Sequence, residues 1–238
     1  MKVVDFHSHI LPGIDDGSKD VQMSVAMLEK MKAYGTDIVC ATSHYYARHR
    51  SIDSFLERRE KAFDALKTEI EQNAPHLKDM EIRCGAEVAF YSGIAKAQSI
   101  EKLCIEGTNT LLLEMPFTEW SDFEINTVAD LCLNNRINVV IAHIERYYGF
   151  ASERMIDHLM DLPVYVQINA ESLLPMFGRK KWLEMFRQKR AHLLGSDAHN
   201  LTDRAPNLGA ARDIIKKKLG AEALDEIDLC ATKLLTSS

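Results

Sequence analysis

The sequence predicts a single α/β domain over residues 1–238, built as a barrel of parallel strands with helices between them. Two observations carry this. Short aliphatic runs alternate with amphipathic helical stretches about seven times, which favours a closed barrel over an open sheet. Several runs are almost continuously apolar, as in Leu111-Leu112-Leu113 and Val139-Val140-Ile141, the pattern of strands buried on both faces of a parallel sheet. A chain of 238 residues suits one such barrel and buries enough surface to fold without disulfides or a structural metal.

The predicted strands are Val3 to His7, Ile38 to Thr42, Glu81 to Ala86, Thr110 to Glu114, Asn138 to Ala142, Val164 to Ile168 and Ala191 to Gly195. The first predicted helix runs from about Asp20 to Tyr34, with Val21, Val25, Leu28 and Met31 on one side. The next runs from about Ser51 to Gln72 and carries Ile52, Phe55, Leu56, Phe63, Leu66 and Ile70 on one face, at the helical period. Ser121 and Glu124 form a capping box opening a third, with Ile125, Val128 and Cys132. Further helices are expected over Ser152 to Met160, Arg179 to Lys189, Arg204 to Leu219 and Ala221 to Leu234. No linker, low-complexity tract or repeat beyond this alternation is visible.

A hydrophobic content of 46% with 27% charged residues describes an ordinary globular protein, and the formal net charge of -6 argues against nucleic acid as a partner. No segment reaches the roughly 20 apolar residues of a membrane span, and no signal-peptide pattern opens the chain. A cytoplasmic protein without membrane insertion is expected. The five cysteines (Cys40, Cys84, Cys104, Cys132 and Cys230) form no CxxC pair and have mostly apolar neighbours. They read as small buried hydrophobes in a reducing compartment.

Chemistry gathers at the strand ends. The first strand ends in His7-Ser8-His9, followed by Asp15-Asp16-Gly17; the second ends at His44, the third at Glu87, the fourth at Glu114, the fifth at His143, and the seventh delivers Ser196-Asp197-Ala198-His199. Barrel active sites sit at this end. His-x-His on a strand aims both imidazoles to one side. Imidazole with carboxylate suits Zn, Fe or Mn, and a site of this size is expected to take more than one ion. His76, His158 and His192 read as structural, and the role of His49, in the Tyr45–His49 loop, is left open. Arg146 and Arg204 lie just beyond strand ends, where a guanidinium fork matches phosphate oxygens.

The motifs His7-Ser8-His9-Ile10-Leu11-Pro12-Gly13-Ile14-Asp15-Asp16-Gly17, Gly85-Ala86-Glu87, His143-Ile144-Glu145-Arg146-Tyr147 and Ser196-Asp197-Ala198-His199-Asn200 resemble the polymerase-and-histidinol-phosphatase (PHP) superfamily. Within it they resemble the bacterial tyrosine-protein phosphatases of the capsule-regulating CpsB/YwqE type. The resemblance implies a distorted TIM-like (β/α)7 barrel of the PHP type with three divalent metal ions, manganese or iron and alternatively zinc. It implies one ion on His7, His9, Glu87 and Asp197, a second on Glu87, Glu114 and His143, and a third on Asp16, His44 and His199. Arg146 and Arg204 would bind substrate phosphate and, with Asp197, form the catalytic set. Thr42-Ser43-His44-Tyr45 and Ile144 depart from the family pattern without touching a ligand.

The expected activity is hydrolysis of phosphotyrosine by a metal-bound hydroxide in one in-line displacement. The expected substrate is a bacterial tyrosine kinase with a Tyr-rich tail that controls capsular or exopolysaccharide synthesis. The four carboxylates and three divalent ions leave a small positive excess, which suits a phosphate dianion. Phe117, Trp120, Tyr147 and Tyr148 follow strand ends and are candidates for an aromatic wall. No Cys is followed six positions later by Arg, so a cysteine phosphatase loop is absent. The alternatives are a histidinol-phosphate or other small-ester phosphatase, an amidohydrolase, and a non-catalytic metal-binding docking module.

Overall fold

The structure, a computed structural model, describes residues 1–236. In chain order the elements are β1 (Val4–Ser8), α1 (Val21–Ala33), β2 (Ile38–Ala41), β3 (His44–Tyr45), α2 (Ile52–Asn73), β4 (Glu81–Cys84), β5 (Glu87–Ala89), β6 (Thr110–Glu114), α3 (Asp122–Leu133), β7 (Asn138–Ile141), α4 (Glu153–Met160), β8 (Tyr165–Asn169), α5 (Arg179–Arg187), β9 (Leu193–Gly195), α6 (Leu208–Leu219) and α7 (Ala221–Leu234). Polar caps set several helix starts. Asp20 accepts from Met23 N at 2.8 Å and Ser51 from Ser54 N at 3.3 Å. The capping box before α3 is present, with Glu124 accepting from Ser121 N at 2.8 Å.

All strand pairs are parallel, in the orders β1-β2-β4 and β3-β5-β6-β7-β8-β9. β2 leads into β3 across Thr42-Ser43, and β4 into β5 across Gly85-Ala86, so each is one stave broken in the middle. The last strand closes on the first. Asp197 N donates to His7 O at 2.7 Å, His9 N donates to Ala198 O at 2.9 Å, and Ser8 bridges Ala198. Seven staves thus form a distorted TIM-like barrel with no free edge. Past the break, Glu106 N donates to Cys84 O at 2.8 Å, so a loop segment takes over the ladder that β4 leaves.

Period-2 alternation sorts the strand residues. Val4, Phe6, Ile38, Cys40, Leu112, Val140 and Leu193 pack in one cluster, closed from below by Ala231, Leu234 and Leu235 at the end of α7. Thr110, at the start of β6, donates its hydroxyl to Leu234 O at 3.0 Å and fixes that plug. Val39, Leu111, Leu113, Val139, Ile141 and Leu194 belong to the larger cluster under the helices. The lower barrel is therefore dry, and polar chemistry is confined to the C-terminal mouth.

Three expectations change. His44 and Glu87 do not end strands; they open β3 and β5 beyond the breaks. The connection from β5 to β6, where the sequence names no helix, holds only the 3-10 turns Ile94–Lys96 and Ile100–Leu103, so that unit of the (β/α)7 pattern has no α-helix. Arg204 does not begin a helix. Its N–H donates to Asn200 Oδ1 at 3.1 Å in a tight turn, and Pro206 disfavours helical backbone before it, so α6 starts at Leu208.

At Gly195 a Cβ would stand 2.6 Å from His7 Cβ and 3.1 Å from Gln167 Nε2. Gly195→Ala is expected to cost about 1–3 kcal/mol by overpacking the β1–β9 seam, read as a lower urea midpoint. An unchanged midpoint would mean the seam is not tightly set.

Candidate metal centre

All nine predicted ligands reach the barrel mouth. His7 lies in β1 and His9 just beyond it, Asp16 in the following loop, His44 and Glu87 at the starts of β3 and β5, and Glu114 at the end of β6. His143 follows β7, and Asp197 and His199 follow β9. The register of β1 shifts between Asp5 and Ser8, the kind of irregularity that re-aims side chains beside a site. His143 (φ 32°) and Asp197 (φ 52°) adopt left-handed backbone without being glycine, local strain that the surrounding fold must hold in place. His7, His9, Glu87, His143, Asp197 and His199 are buried, while Asp16 stands at the rim with its side chain 66% exposed.

The donor atoms fall into three overlapping groups, each with its atoms within 4.8 Å of one another: His9, Asp16, His44 and His199; His7, His9 and Asp197; and His44, Glu87 and Glu114. His7 Nε2 lies 3.1 Å from His9 Nε2, 3.3 Å from Glu87 Oε2 and 3.5 Å from Asp197 Oδ1. His143 Nε2 lies 2.8 Å from Glu87 Oε1 and 3.4 Å from Glu114 Oε1. These sets overlap the expected ones but differ in detail: His9 also joins the Asp16 group, and His44 also faces Glu87.

The donors fit divalent cations. Glu87 Oε2, His44 Nδ1, His143 Nδ1 and His199 Nε2 are buried and have no hydrogen-bond partner. His44 Nδ1 and Glu87 Oε2 approach to 2.8 Å without hydrogen-bond alignment, as lone pairs do when they aim at a shared point. Burial opposes the charge of Glu87, yet His7, His143 and His44 hold its carboxyl well below the usual range. Asp197 is held low in the same way against burial by His7 and His9. Burial and the neighbouring charge of His9 push His199 down to about 3, which leaves its imidazole neutral. Against burial, the neighbouring carboxylates push His44 and His143 up to about 9 and raise His9 as well, so these imidazoles hold protons that a bound cation would displace.

Outer contacts orient the donors. Asp15, which the sequence does not mark as a ligand, accepts through its carboxylate from His9 Nδ1 at 2.8 Å, from His44 N at 2.9 Å and from Gly17 N at 3.0 Å. Gln167 and Asn169, on β8, reach His7 and Asp197. The signal for all three existed: Asp15 lies six residues after His9, and Gln167-x-Asn169 puts two amides on one strand face.

Arg146 Nη2 donates to Asp197 Oδ2 at 2.8 Å and Arg204 Nη2 to Asp197 Oδ1 at 2.7 Å, so both predicted arginines border the centre. Phe117 stacks on His143 at 5.9 Å and 19°, and Phe150 meets its edge at 5.3 Å. Both rings are exposed. Trp120 and Tyr147 are buried beneath them, and Tyr148 packs instead on Trp182 and Lys181. His49 lines a cleft of about 300 Å³ with Ile14, Asp15, Asp16, His44, Tyr46 and Arg50. His76 pairs with Glu29, His158 is exposed on α4, and His192 accepts from Val166 N, all away from the centre. The cysteines are free, and burial pushes the Cys84 and Cys104 thiols up to about 12.

The family of capsular polysaccharide synthesis proteins CpsB/CapC matches residues 3–235. The tyrosine-protein phosphatase CpsB of Streptococcus pneumoniae is 30% identical over 245 residues, covering 94% of each chain. The tyrosine-protein phosphatase YwqE of Bacillus subtilis is 30% identical over 226 residues, covering 92% of this chain and 86% of its own. A solved structure of YwqE from B. subtilis and CpsB from S. pneumoniae, described as unique metal-dependent tyrosine phosphatases, matches with TM-score 0.83 at 24% identity, over 99% of this chain and 96% of that one. An amidohydrolase structure shares the fold more distantly, with TM-score 0.54 at 11% identity, over 98% of this chain and 74% of its own. Among the described residues no helix is long and apolar enough to cross a membrane.

Two outcomes are expected. Titrating Mn²⁺ into chelator-stripped protein should raise its thermal midpoint, by the equivalent of about 2.7 kcal/mol at a hundredfold excess over Kd; an unmoved midpoint would speak against the centre. Iodoacetamide at pH 8 should leave Cys40, Cys84 and Cys104 unmodified by mass spectrometry, with any phosphatase activity intact, because buried thiols are poor nucleophiles.

Proposed function

This chain belongs to the CpsB/CapC family, and we propose that it is a metal-dependent phosphatase that hydrolyses phosphotyrosine in a protein substrate. The observation that carries the reading is the convergence on Asp197. Two guanidinium groups, partly exposed, donate to the two oxygens of this buried carboxylate, and the buried imidazoles of His7 and His9 stand 3.5 Å from its Oδ1. A phosphate ester entering the mouth meets fixed positive charge on one flank and the cation ligands on the other.

His7, His9, Glu87 and Asp197, then Glu87, Glu114 and His143, then Asp16, His44 and His199 would hold three divalent cations; imidazole with carboxylate suits zinc, iron or manganese, and the family resemblance favours manganese or iron. Bound there, they supply Lewis acidity and lower the pKa of water toward neutrality. The chain's own groups do the rest. Arg146 and Arg204 bind and orient equatorial phosphoryl oxygens. Phe117 and Phe150 offer the leaving phenol an aromatic surface beside His143. A phenol has a pKa of about 10 and leaves more readily than an alkyl alcohol, so the absence of an obvious general acid is no obstacle. No thiol takes part.

The physiological substrate on this reading is a bacterial tyrosine kinase carrying phosphotyrosines in its tail, in the control of capsular or exopolysaccharide synthesis, and the site of action is the cytoplasm. The test is steady-state phosphate release from a phosphotyrosine peptide with and without Mn²⁺. Wild-type release should be stimulated by the cation and abolished in His199→Ala. Release from histidinol phosphate with none from the peptide would replace the proposed substrate with a small ester.

Two further outcomes refine it. Arg204→Ala should lower kcat by about 100- to 1000-fold, the scale for losing one group that stabilises transition-state charge. Phe117→Ala should raise KM for the phosphotyrosine peptide by about 2- to 10-fold, the scale of one aromatic pairing, and leave an alkyl phosphate unaffected. An equal effect on both esters would assign Phe117 to packing.

A further inference from the structure

β8 is the one stave whose end offers no candidate ligand, and it closes instead on two buried amides, Gln167 and Asn169. Their orientations follow from fixed donors. The His143 backbone N–H can only donate, and its acceptor at 2.9 Å is Gln167 Oε1. Gln167 Nε2 then faces the other way and donates to Asn169 Oδ1 at 2.9 Å. That leaves Asn169 Nδ2 to donate to Asp197 Oδ2 at 2.8 Å. Flipping either amide would set oxygen against oxygen at one end of the chain or N–H against N–H at the other.

Gln167 Oε1 also lies 3.2 Å from His7 Nδ1. An amide oxygen has no proton to give, so the His7 Nδ1 must carry one. With Nδ1 turned to Gln167, Nε2 is the ring nitrogen that faces the candidate ligands Glu87 and Asp197, at 3.3 and 3.5 Å. His9 is held in the same tautomer by a different device, the Asp15 carboxylate at 2.8 Å from its Nδ1.

We propose that Gln167 and Asn169 are positioning residues that form a directed amide relay. One relay fixes the His7 tautomer, the His143 backbone and the orientation of Asp197 together, and so sets how three strands present their ligands to cations. This rests on the metallophosphatase reading only in that cations bind at this centre. The chemistry explains why the residues are amides. Asp15, Asp16, Glu87, Glu114 and Asp197 already crowd the mouth, and a further carboxylate at position 167 or 169 would repel Asp197. A neutral acceptor holds His7 without adding charge. Gly195 makes the room, since a Cβ there would meet both His7 and Gln167.

The test begins with the wild type. Long-range ¹H–¹⁵N spectra of the chelator-stripped protein should show a proton on His7 Nδ1; a His7 bare at Nδ1 would overturn the relay whatever the variants do. The variants are Gln167→Glu and Asn169→Asp, which keep size and reverse or charge one end. Cation affinity is read by Mn²⁺ titration and by metal content per chain from elemental analysis, alongside the pH profile of kcat/KM. Each variant places a carboxylate near Asp197 and should lose some urea stability in the stripped form, so Mn²⁺ binding is compared under conditions where circular dichroism shows wild type and variant equally folded. Each should bind Mn²⁺ about 10- to 100-fold more weakly, the usual effect of losing a group that orients a ligand, and shift the acidic limb of the profile. Wild-type affinity, metal content and pH profile in both variants would overturn the relay and leave the phosphatase reading standing. A wild type that binds no cation would instead overturn the metal centre itself, and the relay with it.

Discussion

Asp197 is where the chain is tied to itself. Its backbone N–H donates to His7 O at 2.7 Å and closes the barrel at the β1–β9 seam. Its carboxylate collects Asn169, Arg146 and Arg204, and lies 3.5 Å from the imidazoles of His7 and His9. A buried carboxylate without such partners would be protonated or displaced. With them it stays ionised, and the left-handed backbone at Asp197 is the local cost of bringing one residue into both the seam and the centre. Closure of the fold and assembly of the site are one event.

The rest of the mouth extends this electrostatic problem. Asp15, Asp16, Glu87, Glu114 and Asp197 stand close to His7, His9, His44, His143 and His199, above an interior filled by Phe6, Leu112, Val140 and Leu193. An apolar floor excludes water from below and lowers the local dielectric, so each charge depends strongly on its neighbours. Buried donors with no hydrogen-bond partner, such as His199 Nε2 and Glu87 Oε2, are costly unless something fills the space they face. A site that costs this much stability is kept for chemistry.

Much of this was legible in the sequence because a parallel barrel places consecutive strand ends side by side. Val139-Val140-Ile141 has the pattern of a strand buried on both faces, and in a parallel barrel the residues that follow such a strand reach the mouth. What was not legible depends on local irregularity. The breaks at Thr42-Ser43 and Gly85-Ala86 move His44 and Glu87 from strand ends to strand starts, which no periodicity encodes. The turn holding Arg204 competes with a helix-forming stretch and wins because Pro206 follows. The missing helix between β5 and β6 is replaced by two 3-10 turns whose residues carry no strong period. The exposed aromatic surface could not be read either: Phe117, Trp120 and Tyr147 have similar sequence settings, and only packing puts Trp120 and Tyr147 beneath while Phe117 and Phe150 face out.

Arg146 and Arg204 show why the two halves of the site belong together. A free arginine side chain loses considerable rotamer entropy when it clamps a ligand. Here each guanidinium is already held, one on each oxygen of Asp197, by contacts of 2.8 and 2.7 Å. The same carboxylate points toward the His7 and His9 imidazoles, so the direction of both forks is set by the group that also faces the cation ligands. The direction of both guanidinium groups is therefore set before any ligand arrives, and it cannot be retained if Asp197 is displaced. Phe117 repeats the arrangement on the other flank, where the ring that would meet an aryl ester rests on the His143 ligand itself. The arginines, the exposed Phe117 ring and the candidate ligands share contacts in this mouth, which is why they cannot be moved independently.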